Sequence, residues 1–305
     1  PEPANLLWTG ATGSVFRDYN SLRPIDLIKQ TAATIHYSGA PIPWLRAPQK
    51  RAPLREIAAT RFAGARAAAV EVNVDAAVWI PAWLFMPMKS DRHGSTLLVL
   101  DSRGRNADAH EAGIYHRLAR AGHRVCAADI RGMGDSRPET GRGNPGYTIP
   151  HESEEDFAWA SLILGDSLLA QRVRDISALV QALKTGGGRL AVAARGRLTV
   201  PALFAFAASE EIASLYLTGG LTSFRSVLET EIYSEPLSNF AWNLARLTDL
   251  PVLAARSAPR RIHLAGAVDA SVRPVASDAL RQIYSSENVT ISDEPAWDEN
   301  SLGAA

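Results

Sequence analysis

The sequence has one cysteine, no net charge and no apolar run long enough to cross a bilayer, and each shortage removes a class of function. A lone Cys126 rules out a disulfide framework and a cysteine-ligated zinc site, and its place inside the apolar stretch "HRVCAADI" predicts a buried, inert thiol. The 32 basic and 32 acidic side chains cancel, with no Lys/Arg run, which predicts no nucleic-acid partner. Uninterrupted apolar runs fall far short of the roughly 20 residues a spanning helix needs, which predicts no membrane partner. Residues 1–15 lack a basic-then-apolar leader, and an opening on "PEPANLLWTG" without Met is what a trimmed chain or a piece of a longer precursor would show. H-x-H and H-E-x-x-H spacings are absent, and the Gly-rich "GRGNPGY" at Gly141 has neither P-loop nor dinucleotide spacing. That stretch reads as a loop, and no metal or cofactor is predicted.

What is present is the composition of a globular protein, 46% apolar and 21% charged over 305 residues. Residues 1–55 include "SGAPIPWLRAPQKRAP", rich in proline and turn residues without a period, and read as an extended connector packing on a domain of residues 56–305. From Ala67, "RAAAVEVNVDAAVWIPAWLFMP" predicts a leading antiparallel strand pair joined around Asp75. Strand-like "STLLVLDS" and helical "ADAHEAGIYHRLARAG", stopped by Gly122, form the first strand-helix unit. The strand "HRVCAADI" opens the second, and a long loop runs to about Ser153. Leu169, Val173, Ile176, Val180 and Leu183 then recur at alternating spacings of four and three, which places them on one helical face. Further strand-like runs are "RLAVAARG", "IASLYLTGGL", "RRIHLAG" and "NVTISDE", with helical segments predicted over residues 223–250 and in "VRPVASDALRQIYSS". Alternation of this kind predicts a doubly wound, mostly parallel sheet with helices on both faces, whose ligands sit beyond the carboxyl ends of the strands.

One of those ends, "AVAARGRLTVPALFAFAA", has the strand-turn-helix shape of a nucleophile elbow, usually G-x-S-x-G. In "ARGRL" the serine position falls on Gly196, where glycine keeps the strained bend without supplying an Oγ. Shifted by one residue, the apex becomes Arg195, whose guanidinium stays protonated and cannot attack a carbonyl. Neither register supplies a nucleophile.

Several segments, in order, resemble the α/β-hydrolase family, in particular its acetyl-xylan-esterase-like and dienelactone-hydrolase-like members. "LLVLDSRGRNADAHEAGIYHRLARAGHRVCAADIRGMGDSRPE" is similar to the family's oxyanion-loop strand, first helix and D-x-R-G-x-G-x-S strand end. "LILGDSLLAQRVRDISALVQAL" is similar to the helix before the elbow, and "LTDLPVLAARSAPRRIHLAGAVDASVRPV" to the segment whose strand is followed by the triad acid at G-x-x-D. The resemblance spans about residues 67–295 and implies the α/β-hydrolase fold. It assigns the acid position to Asp269 and the nucleophile position to Gly196. It also exposes two further departures. Leu198 replaces the second elbow glycine, and the histidine expected after the last strand is missing, since all seven histidines precede Asp269.

Ser-His-Asp chemistry needs a hydroxyl, an imidazole to take its proton and a carboxylate to orient the imidazole, and only the carboxylate remains. The expectation is therefore a degenerate, catalytically silent hydrolase domain, with Asp269 paired to Arg195, Arg197 or Arg273. The alternative is an active carbohydrate or acetyl ester hydrolase using Ser102 or Ser136 with His151 as base. Both serines also fit plain turn hydroxyls, and His151 with Glu152, Glu154, Glu155 and Asp156 fits a charged helix N-terminus. Trp159, Trp242 and Trp297 could stack a sugar ring, though burial as core or cap residues is the simpler reading. "NVT" at Asn288 matches a glycosylation acceptor but also begins the last strand. The resemblance implies a carbohydrate or small ester as ligand, another domain of a longer chain as a possible partner, and a secreted or periplasmic location.

Overall fold

The computed structural model describes residues 10, 12–37, 41–45, 52–62, 64–75, 77–88, 95–137, 145–184 and 188–304, without the side chains of Phe62 and residues 145–153. Nine strands form one sheet: β1 (Leu54–Phe62), β2 (Ala65–Asn73), β3 (Trp79–Pro87), β4 (Thr96–Asp101), β5 (Arg124–Ala128), β6 (Leu190–Arg195), β7 (Ser214–Thr218), β8 (Arg261–Ala265) and β9 (Val289–Ser292). Their order is β1-β2-β3-β5-β4-β6-β7-β8-β9. The β1–β2, β2–β3 and β3–β5 pairings are antiparallel and the other five are parallel. This is the doubly wound, mostly parallel sheet anticipated from the sequence, with the leading antiparallel pair extended by one more strand.

Alternation explains why the central strands read as continuous apolar runs. In β4, Leu97 and Val99 enter one apolar layer while Leu98 and Leu100 enter the other, and every residue of the strand is buried. Helices Leu168–Leu183 and Thr199–Ala208 contribute to the layer of Leu98 and Leu100, and helix Ile114–Arg120 with Leu302 to that of Leu97 and Val99. The five periodic residues from Leu169 to Leu183 are all buried, and Ser167 caps their helix by accepting from the Ala170 N–H at 3.2 Å. Each such buried side chain contributes about 1.5–3 kcal/mol.

The structure departs from the sequence reading at four places. The segment read as extended holds helix Pro24–Ala33, which opens on proline and uses Asp26 to cap the Arg23 N–H, and which packs on helix Phe224–Glu229. Helix Pro145–Ile163 begins well before Ser153, so Glu154 sits in mid-helix and is buried rather than on a solvated N-terminus. The predicted helix over 223–250 is broken into Phe224–Glu229, a 3-10 turn Leu237–Asn239 and Leu244–Leu247, with Pro236 and a left-handed Asn243 (φ 60°) between them. The last predicted helix shortens to Ser277–Ile283, beyond Pro274. Most of "GRGNPGY" lies outside the described residues. No described helix is long and apolar enough to cross a membrane.

Candidate active-site cleft

Strand β6 ends at Arg195 and a 3-10 turn Gly196–Leu198 leads straight into helix Thr199–Ala208. Gly196 has φ +62°, the left-handed region that side chains disfavour, so the bend of a nucleophile elbow is present. Thr199 fastens the turn, its hydroxyl donating to the Gly196 carbonyl at 2.8 Å. Leu198 is fully buried, because the 3-10 turn aims it into the core where a second glycine would leave a void.

Register then decides what stands beside the apex. Asp101 of β4 pairs with Arg195 of β6, so the next residues, Ser102 and Gly196, emerge side by side. A Cβ built on Gly196 would lie 2.7 Å from Ser102 Oγ. The Ser102 hydroxyl therefore borders the space a nucleophile's side chain would leave from, and among the described residues it makes no hydrogen bond. A cleft of about 690 Å³ opens here, lined by Ser102, Glu155, Gly196, Arg197, Glu235 and Val272 among others.

Beneath the cleft lies a charged cluster that has no signature in the sequence. Glu154 pairs with Arg172 at 2.8 Å and with Arg197, and Ser238 donates its hydroxyl to Glu154 Oε1 at 2.6 Å. Arg172 is wholly buried and also donates to the Arg131 carbonyl at 3.0 Å. Burial acts to raise the Glu154 pKa, but the two guanidiniums and the Ser238 hydroxyl outweigh it and hold the carboxyl below its usual range. Burial acts the other way on Arg172, lowering its pKa against the pull of Glu154. Arg197, beside the elbow apex, is thus tied down by this cluster.

Asp269 follows β8, which is two strands along the sheet from β6. It pairs with Arg273 at 2.8 Å and accepts the N–H groups of Ser271 at 2.8 Å and Arg273 at 3.0 Å. Burial would raise its pKa, but these bonds prevail and keep it ionised below the usual carboxylate range. The turn they close forces Val272 to φ +63°, an uncommon conformation for a β-branched residue, and Val272 forms part of the cleft wall. Asp269 itself lines a different depression, with Tyr37, Asp249 and Arg225, rather than the cleft that holds Gly196. Of the three arginines considered as its partner, Arg195 instead lies 5.9 Å from the Trp297 ring and Arg197 pairs with Glu154.

The remaining candidates are dispersed. Ser136 donates its hydroxyl to the Asp129 carbonyl at 2.9 Å and is not among the residues lining the cleft, so it sits as a turn hydroxyl. The side chain of His151 lies outside the described residues, as does His93. No described histidine lines the cleft: His123 bonds Ser95 at 2.7 Å, His263 bonds Ser292 at 3.1 Å, and His116 is buried. Among the described residues no group of three His, Cys, Asp or Glu side chains is placed to hold a metal ion. Cys126 is buried in β5, and burial pushes its thiol up to about 12. Trp159 and Trp242 are exposed, contrary to the expectation of burial, because both sit on outward-facing segments. The Asn288 amide is engaged, donating to the carbonyls of Ala254 at 3.1 Å and Arg260 at 2.9 Å. Glu235 was missed from the sequence altogether, as a single carboxyl in an irregular segment.

No protein-family model matches the sequence, and no curated protein does. Solved structures do match in fold. A candidate acetyl xylan esterase from Bacteroides fragilis NCTC 9343 superposes with a TM-score of 0.69 at 14% identity, covering 89% of this chain and 82% of the other. Acetyl xylan esterase 1 from Thermoanaerobacterium sp. JW/SL YS485 gives 0.55 at 14% identity, with coverages of 90% and 88%. The acetyl xylan esterase from Paenibacillus sp. R4 gives 0.51 at 14% identity, with 92% and 90%. Together with the strand order and the elbow turn, these likenesses show that the chain has the α/β-hydrolase fold.

Proposed function

We propose that this is a catalytically silent α/β-hydrolase-fold domain whose cleft binds a carbohydrate or a small ester without cleaving it by serine chemistry. The observation that carries this reading is Gly196: the elbow bend is kept at φ +62°, the side chain is absent, and Ser102 Oγ borders the space a replacement would need. Asp269, vestigial as an acid, closes a turn with Arg273 instead. In subtilisin, loss of either serine or histidine lowers turnover by about 10⁶, so a retained bend rescues little. The fold neighbours include acetyl xylan esterases, which supports a sugar or its ester as the bound class. The same reading makes residues 1–55 a connector that packs on the domain, supported by helix Pro24–Ala33 lying on helix Phe224–Glu229.

The test is incubation with p-nitrophenyl acetate and a serine-directed fluorophosphonate. The expected result is no turnover above buffer and no covalent adduct. Titration with xylan fragments, followed by tryptophan fluorescence, is expected to saturate in the millimolar range or below. A second reading is favoured by one feature, the unbonded Ser102 hydroxyl at the apex: an active esterase with a displaced nucleophile. An adduct mapped to Ser102 would replace the first reading with the second.

A further inference from the structure

Glu235 is a cleft carboxyl with no part in serine chemistry. It precedes the 3-10 turn Leu237–Asn239, and its Oε1 accepts from Asn239 Nδ2 at 2.5 Å. The same amide donates to the Arg197 carbonyl at 2.9 Å, so the carboxyl is tethered to the elbow backbone. Among the described residues its Oε2 takes no hydrogen bond, and it lines the cleft together with Ser102 and Ser234.

The charges around it come from three elements. Glu154 and Glu155 lie on helix Pro145–Ile163, Arg197 at the elbow and Arg172 on helix Leu168–Leu183. Both arginines are engaged by Glu154, and among the described residues none forms an ion pair with Glu235. Burial pushes Glu235 up to about 7, with Glu154 adding to the rise and the Asn239 amide and Arg197 opposing it. Near neutrality the group is therefore divided between its two protonation states.

We propose that Glu235 is the ligand-reading group of the cleft: its free oxygen accepts hydrogen bonds from the hydroxyls of a neutral polyol, and binding releases the carboxyl proton to solvent. The inference rests on the reading of the cleft as a binding site. A protonated carboxyl keeps one donor and limited acceptor capacity, whereas the ionised form is acceptor-only with about four lone-pair sites. Hydroxyl donors thus favour the ionised form, and by linkage affinity rises with pH through the range where the free group titrates. An anionic ligand meets the opposite situation. Glu155 and Glu235 on the cleft wall repel it, while Arg197 on the same wall is already paired with Glu154, so uronate-bearing sugars are disfavoured.

The experiment is calorimetric titration of the intact chain with xylotriose, cellotriose and mannotriose at pH 6 and pH 8, in buffers of different ionisation heat. The expected result is binding about fivefold tighter at pH 8, with net proton release at pH 7, for at least one neutral sugar. Its uronate-substituted counterpart is expected to bind more weakly. The E235Q variant can still accept from Asn239, and is expected to bind without pH dependence or proton release. Binding by wild type with equal affinity at both pH values and no proton release overturns the role of Glu235 while leaving the binding cleft standing. An E235Q variant that keeps the pH dependence does the same. Absence of saturable binding for all three sugars overturns both readings.

Discussion

Glu154 and Asp269 are both carboxylates that hold arginines beside the cleft, but one lies under its floor and the other at its rim. Glu154 engages a guanidinium with no solvent exposure, whereas the side chain of Arg273, the partner of Asp269, is 75% exposed. The difference lies in what each arginine does when its carboxylate is gone. Arg273 turns to water. Arg172 cannot, and remains a buried charge.

The largest expected effect follows from that contrast. E154A should destabilise the fold by about 3–5 kcal/mol, read as a lowered urea midpoint, because it strands Arg172. E154L/R172M should recover most of that loss, since both charges leave the interior together. If E154A matched D269A, burial would not be the quantity that separates the two regions.

A sharper comparison sets Glu154 against Glu235, which share the same surroundings and shift in opposite directions. Glu154 has two guanidiniums, and its contribution is present above the ordinary carboxylate range and is lost as pH falls through its lowered pKa. Glu235 has the Asn239 amide and only the distant pull of Arg197, and its pKa rises from 4.5 to about 7 on folding. The folded state then binds the extra proton, so stability falls as pH rises between those values, by an amount on the order of 3 kcal/mol. Denaturant melts from pH 4.5 to pH 8 should show that decline in the wild type and a flatter profile in E235Q.

These carboxylates also mark where the sequence could and could not be read. Strands β4 to β8 were legible because burial on both faces produces unbroken apolar runs, as in "TLLVLD". Strand β1 was not, since Arg55 to Arg61 are exposed along the sheet edge and give no alternation. The elbow bend was legible because only glycine takes φ +62° cheaply, whereas Asp269 was singled out through the family resemblance and not by any physical pattern of its own. Glu154 was misread because Gly146 and Pro150, both poor residues for a helix interior, disguise a helix that starts at Pro145. Glu235 carries no local pattern at all, and its environment is assembled from Asn239, Arg197 and Glu154 by the fold.

The elbow itself supplies the next test. G196S places a side chain at a left-handed position and 2.7 Å from Ser102 Oγ. We expect a loss of about 1–3 kcal/mol and no gain of acetyl ester hydrolysis, since no described histidine lines the cleft. G196S/S102G should restore the part due to the contact and leave the backbone part. Equal loss in the single and double variants would remove Ser102 from the account.

The smallest effect belongs to the rim, and it carries the opposite sign. Val272 holds a conformation that disfavours an L side chain by about 1–2 kcal/mol, and glycine adopts it freely. Glycine in turn loses more chain entropy on folding, about 0.5–1 kcal/mol, so V272G should be stabilising by roughly 0.5–1 kcal/mol. The strain persists because Asp269 accepts the N–H groups on both sides of Val272. Hence D269A, which frees the turn, should reverse the sign: V272G in the D269A background should lower the thermal midpoint, because only the chain-entropy cost of glycine remains. Additive effects of the two substitutions would mean that the turn keeps its shape without the carboxylate, and that Asp269 does not position Val272 at the cleft wall.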